Sequence, residues 1–268
     1  KIFNIPKQLI TDYPFDNNYL DSGTSKVHSV LKDNAGNLWI AIYQKGVMMI
    51  PAQPNSFKYI GYKSINKNII GSNCITSLCR DHEGILWIGT DNDGIYGITT
   101  ELKQKVHYAP HDSPSSVPST VFGLYEDSEH NLWFGSYTNG LGRLDKKTGQ
   151  CSYLQNLTDK NGNRIQRVYD LVEDQDKRLW IATMGAGLFY YDLKTGQSVY
   201  DPKFNAATKK YKWISCLLYA GDNHLYVGTY DGIRCIDLST DDFKTEEILS
   251  RHIIHSLYED PQGNIWIG

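Results

Sequence analysis

The chain of 268 residues has no surplus of positive charge: 27 Lys and Arg stand against 30 Asp and Glu, a formal net charge of -3. Nucleic acid is therefore excluded as an expected partner, since a polyanion needs a basic footprint. The one basic cluster, Lys209, Lys210 and Lys212, is short and reads as a solvated loop. The chain is also poor in cysteine. Cys74, Cys79, Cys151, Cys216 and Cys235 are odd in number, widely spread and lack the short paired spacings of zinc sites, so neither a disulfide framework nor a cysteine-held metal is expected. Cys79, Cys216 and Cys235 fall in apolar runs, where a thiol acts as a small hydrophobe. No run approaches the roughly 20 apolar residues of a spanning helix, and the first residues do not read as a signal peptide. Enzyme signatures are missing as well: no Gly-x-Ser-x-Gly elbow, no His-Glu-x-x-His and no P-loop. No cofactor and no metal are expected.

What the chain does have is 12% aromatic residues, 19 of them Tyr, and 23 Gly. Aromatics suit pleated sheets and Gly suits tight turns, so the composition favours an all-β protein. One pattern then returns six times: VHSVLKDNAGNLWIA from Val27, ITSLCRDHEGILWIGT from Ile75, VFGLYEDSEHNLWFGS from Val121, VYDLVEDQDKRLWIAT from Val168, ISCLLYAGDNHLYVGT from Ile214 and IIHSLYEDPQGNIWIG from Ile253. The spacings are 48, 46, 47, 46 and 39 residues.

In each copy an apolar strand meets a polar turn and a second apolar run, which predicts a β-hairpin. A Gly-bearing loop, a third strand and a more variable fourth follow, for example 43–46, then 47–50, then 57–62. Four strands per 40 to 50 residues predict the blade of a β-propeller, with about five complete blades and a partial sixth over 1–268. Residues 1–26 are candidates for outer strands of a closing blade. The chain starts abruptly at Lys1 and stops at Gly268 within a motif, as a piece of a seven-bladed or tandem propeller would.

In five copies an Asp precedes a Trp by six positions: Asp33 and Trp39, Asp81 and Trp87, Asp127 and Trp133, Asp174 and Trp180, Asp260 and Trp266. The Asp is expected to accept backbone hydrogen bonds from one or two residues onward in its turn. The second strand is apolar at nearly every position, so both faces must be covered and the Trp is expected to pack between blades. Neither repeated residue is a good functional candidate, because five turns spread around a propeller cannot share one site.

The signature hydrophobic-x-x-hydrophobic-x-x-Asp-x-x-Gly-x-Leu-Trp-Ile-Gly-Thr, then Gly-hydrophobic, resembles the two-component regulator propeller repeat, with ITSLCRDHEGILWIGTDNDGIYGI and VHSVLKDNAGNLWIAIYQKGVMMI as its fullest copies. The resemblance runs from about Val27 to Gly268. It implies the extracytoplasmic, periplasmic sensor part of a membrane-anchored bacterial hybrid two-component protein. Many such sensors regulate polysaccharide utilisation, and the histidine kinase would lie elsewhere in the parent.

In such a fold the loops entering the first strand and those joining the second and third strands gather at one end. There the sequence presents Ser72, Asn73, Asp91, Asn92, Asp93, Tyr137, Asn139, Arg164, Gln166, Arg167, Trp213, Tyr230, Asp231, Arg251 and His252. Carboxylates, amides, guanidinium groups and non-repeat aromatics are what an oligosaccharide or other small polar ligand requires, through oriented hydrogen bonds and stacking. Asp91 and Asp93 fall short of the six to eight oxygens calcium takes. His28 and His255 are expected inside first strands as core or channel-lining residues. Two other readings stand beside a sensor: a propeller lyase or glycosidase using Asp91 or Asp231, and a scaffold forming a homodimer through unpaired strand edges.

Overall fold

The computed structural model describes residues 2–4, 9–11, 26–42, 46–52, 60, 70–99, 103–159, 161–200, 213–240 and 243–268. Lys209, Lys210, Lys212, the loop 43–45 and most of the expected strand 57–62 lie outside the described residues. The chain divides into two units, Lys1–Gly71 and Ser72–Gly268.

The apolar-turn-apolar pattern folds as expected in both units. In the first, β1 (Ile2–Asn4) pairs with β2 (Leu9–Thr11) as a hairpin of its own, and β3 (Val27–Lys32), β4 (Leu38–Ile42) and β5 (Gly46–Ile50) form a three-stranded antiparallel sheet. The second unit holds four four-stranded antiparallel sheets in simple sequence order. They are β6 (Ile75–Arg80) to β9 (Gln104–Tyr108), β10 (Val121–Glu126) to β13 (Cys151–Tyr153), β14 (Val168–Glu173) to β17 (Gln197–Val199), and β18 (Ile214–Ala220) to β21 (Thr245–Ser250). Their middle strands are β7 (Leu86–Thr90) and β8 (Ile95–Ile98), β11 (Leu132–Ser136) and β12 (Leu141–Leu144), β15 (Arg178–Thr183) and β16 (Leu188–Asp192), and β19 (His224–Thr229) and β20 (Gly232–Asp237). A final hairpin pairs β22 (Leu257–Glu259) with β23 (Ile265–Ile267). Five of the six repeat starts coincide with strand starts. The sixth does not, for its strand begins at Leu257, so His255 precedes it and is exposed. His28 does lie in β3 but is exposed, which corrects the expectation of core histidines.

The cores of the second unit lie between successive sheets. Trp87 of β7 packs with Leu124, Leu132 and Phe134 of the next sheet. Trp133 packs with Leu171, Leu179 and Ile181, and Trp180 with Leu217, Leu225 and Val227. Trp87, Trp133 and Trp180 are thus inter-blade packing, as the uniformly apolar second strand required, whereas Trp39 and Trp266 are exposed, which corrects the expectation for those two. Each Trp also spans its own hairpin. Its indole N–H donates to the turn Asp at 2.7–2.9 Å in all five copies. The other carboxylate oxygen of that Asp accepts the backbone N–H four residues onward, at 2.8–3.0 Å, rather than only those one or two onward. The six-residue spacing is the span of this hairpin clasp. In the fifth copy both partners are lost together, to Ala220 and Tyr226.

The small residue of the Leu-Trp-Ile-Gly-Thr run has a packing cause. A Cβ on Gly135 would stand 2.5 Å from the Val168 carbonyl oxygen of the next blade's first strand. Backbone cannot yield as a flexible side chain does, so Gly135→Ala is expected to cost about 1–3 kcal/mol. Gly221→Ala, with nothing within 4 Å of the added carbon, should leave the melting temperature almost unchanged. Equal melts for the two variants would refute this account of the spacing.

Candidate functional site

The last residue of the second strand in each of the four four-stranded sheets is a buried hydroxyl: Thr90, Ser136, Thr183 and Thr229. Each donates to the carbonyl of the glycine that ends its loop: Gly94 at 3.0 Å, Gly140 at 3.1 Å, Gly187 at 2.5 Å and Gly232 at 2.9 Å. The hydroxyl oxygens of Thr90, Ser136 and Thr229 also accept, from Asp93, Asn139 and Asp231 N–H respectively. The loops are also tied to the chain entering the following blade. Gly140 N–H donates to Gln166 O at 2.8 Å, Thr120 Oγ1 to Asp91 O at 3.1 Å, and Met184 pairs with Trp213 as an isolated bridge. One end of the blades therefore carries a rim of short loops with their backbone fixed, which limits the ordering cost of binding.

A second repeated feature aims side chains at this end. In five sheets the register slips at the second residue of the first strand, placing a β-bulge at His28, Thr76, Phe122, Tyr169 and Ser215. A bulge leaves one residue outside the pairing and re-aims its side chain. In the third and fourth copies these are aromatic, and Phe122 stacks on Tyr169 with ring centroids 4.2 Å apart. Phe122 also meets Tyr137 edge to face at 5.9 Å, and the Arg167 guanidinium sits over the Tyr137 ring at 5.0 Å. Trp213 and Tyr230 form a T-shaped pair at 5.4 Å. The Tyr169 phenol is held above its usual pKa first by burial, then by Tyr230, Tyr137 and Asp91, with Arg167 opposing. That joins both aromatic pairs, Arg167 and Asp91 into one electrostatic neighbourhood. Tyr137, Trp213 and Tyr230 are 40%, 49% and 40% exposed.

Of the residues expected at the site, the structure places Tyr137 against Phe122 with Arg167 over its ring, and pairs Trp213 with Tyr230, while Tyr230 and Asp91 act on the Tyr169 phenol electrostatically. Others are engaged in building the loops. Asn92 Oδ1 accepts the buried Ser72 hydroxyl at 2.7 Å. Asp93 accepts the Tyr96 phenol and faces His107 at 3.4 Å. Arg164 donates to Asn139 O at 3.0 Å, and the Asn139 N–H donates to Ser136 Oγ at 2.8 Å. Asp231 O accepts Arg251 N–H at 3.1 Å, His252 Nδ1 lies 2.8 Å from Ser250 O, and Asn73 is exposed at the entry to β6. Phe122 and Tyr169 were missed from the sequence because they sit inside first strands. The signal that could have found them is the second position of the repeat, which reads His, Thr, Phe, Tyr, Ser and Ile in turn while the position before it stays Val or Ile.

A model of the two component regulator propeller matches residues 69–92, 115–138, 158–185 and 248–268. Four segments of the chain are two-component regulator propeller repeats. Each matched segment covers a turn Asp and its Trp, from Asp81 and Trp87 to Asp260 and Trp266, and the first copy, with Asp33 and Trp39, lies outside them. No curated protein matches the chain. Among solved structures, the extracellular domain of the putative hybrid two component system BT4673 from B. thetaiotaomicron is similar, with TM-score 0.64 and 21% identity over 90% of this chain. That of BT3049 from the same organism gives TM-score 0.58 and 21% identity over 98%. PorZ, a surface component of the type-IX secretion system of Porphyromonas gingivalis, gives 0.54 and 12% over 90%. At these identities the likeness is one of fold. This propeller-repeat chain spans 34% of the BT4673 chain and 40% of the BT3049 chain.

Proposed function

We propose that the chain is a non-catalytic ligand-binding part of an extracytoplasmic, periplasmic sensor in a membrane-anchored hybrid two-component protein. Its ligand is an oligosaccharide from a polysaccharide that the cell uses. The observation that carries the reading is the aromatic and Arg167 set on a fixed rim: Tyr137, after β11, and Trp213 and Tyr230, flanking β18 and β19, are each two-fifths or more exposed. Exposed rings of this kind stack on sugar faces, while Arg167 and Asp91 offer a donor set and an acceptor for hydroxyls or acidic substituents. The kinship of the repeats and the fold of the B. thetaiotaomicron extracellular domains support the sensor setting.

Calorimetry against a panel of neutral, uronic-acid and sulfated oligosaccharides tests it. At least one glycan is expected to bind, with Tyr137→Ala and Trp213→Ala each weakening it by about tenfold or more, or about 1.4 kcal/mol. Asn73→Ala should have little effect. Silence across the panel, or binding indifferent to both aromatic variants, would overturn the assignment.

A further inference from the structure

At the opposite ends of the strands, the turns between first and second strands form a second repeated junction. In one copy of it, Ser128 of the β10–β11 turn donates its N–H and its hydroxyl to Glu173 at the end of β14, both at 2.6 Å. Lys177, in the β14–β15 turn, completes the junction by bonding the Ser128 hydroxyl and lying 3.4 Å from Glu173. One blade earlier the corresponding residues are His82, Glu126 and His130. His82 N–H donates to Glu126 Oε2 at 2.7 Å, as Ser128 N–H does to Glu173, and His82 Nδ1 lies 2.8 Å from Glu126 Oε1. Where Lys177 would neutralise the carboxylate, His130 instead stacks its ring on His82 at 3.7 Å. A ligand atom from each of His82, Glu126 and His130 lies within 4.8 Å of the others.

We propose that His82, Glu126 and His130 bind a divalent transition-metal ion of the zinc class, clamping the second and third blades. Two imidazole nitrogens and one carboxylate oxygen form a donor set that such ions prefer, and they leave a coordination position for water. His130 has φ 66° at a turn position that is Gly36, Gly84 and Gly263 in three copies and Lys177, at φ 68°, and Asn223, at φ 66°, in the other two. Lys146 Nζ lies 2.7 Å from Glu126 Oε1 and 3.4 Å from Asp81 Oδ2. An arriving metal displaces the ammonium from Glu126 and leaves it on Asp81. His82 and His130 are both exposed, so an ion reaches the cluster directly from solvent.

The test is calorimetric titration of the untagged chain with zinc chloride, with cobalt(II) absorption as a coordination readout. Saturable uptake of one ion per chain is expected, with a rise in melting temperature and a visible cobalt band. His82→Ala and His130→Ala should each weaken binding by about tenfold or more, while His224→Ala, at the start of β19, changes nothing. Both histidines are exposed, so the metal-free melts of the variants should match the wild type. Absence of saturable uptake, or uptake unchanged in the double variant, would show an adventitious ion only and overturn the proposal.

Discussion

Trp180→Ala is expected to lower the stability of the second unit by about 3–5 kcal/mol, the range for deleting a large buried aromatic side chain. Trp180 is 0% exposed, filling the space between the fourth and fifth blades among Leu217, Leu225 and Val227. Its indole N–H donates to Asp174 at 2.7 Å, and the Asp174 side chain is itself enclosed, holding Arg178 Nε at 2.6 Å. The substitution therefore opens a cavity and removes one of the hydrogen bonds to a buried carboxylate. Trp180→Phe keeps most of the volume and isolates the hydrogen bond, for which about 1–3 kcal/mol is expected. Trp266 holds the same place in its repeat and the same bond to Asp260 at 2.9 Å, but is 65% exposed. Trp266→Ala should cost about 1 kcal/mol or less, because little apolar surface leaves water there. Denaturant titration of the three variants gives the comparison. Equal losses for Trp180→Ala and Trp266→Ala would mean that the Asp–Trp clasp, and not burial between blades, sets the energy.

The second large effect is a gain of stability on mild acidification. Asp170 follows the bulge residue Tyr169, and its carboxylate accepts Leu171 N–H at 2.9 Å and, across the blade boundary, Leu217 N–H at 2.8 Å. The residue keeps some surface, yet its carboxylate is surrounded by protein, and burial raises its pKa from 3.8 to about 6 against the lowering effect of the two N–H donors. The folded state thus holds this proton more tightly than the unfolded state. Stability from this group is fully present below about pH 4 and lost as pH rises through about 6. The full span is about 3 kcal/mol, and about 1.4 kcal/mol of it is gained between pH 7 and pH 5. The opposite sign belongs to Asp81 and Glu126, whose pKa values are lowered, so their contribution is lost only at more acid pH. Asp170→Asn should flatten the profile between pH 7 and 5. An unchanged slope in that variant would remove Asp170 as its source.

How the sequence and the fold divide the determination is clearest at particular residues. Repeat spacing, the four strands per blade and the inter-blade Trp were all legible in the chain, because a blade is a local unit whose hydrophobic pattern and turns are set within 40 to 50 residues. The pairing of Asp with Trp was legible only as a spacing of six, and its meaning as a hydrogen bond across a hairpin required the register. The loops that would carry a site could be named from topology, but sequence could not separate Tyr137, Arg167, Trp213 and Tyr230, which meet in pairs, from Asn92, Asp93, Asn139 and Arg164, which hold the loops. Phe122 and Tyr169 join the cluster because a bulge in each first strand re-aims them, and a bulge leaves no mark in the alternation of a buried strand. His82, Glu126 and His130 come from two blades and lie 44 and 4 residues apart. The sequence alone therefore determined the blade, through interactions between near neighbours along the chain. Tertiary structure decided the sites, since contacts between blades depend on how successive sheets stack and on which strand ends that stacking brings together.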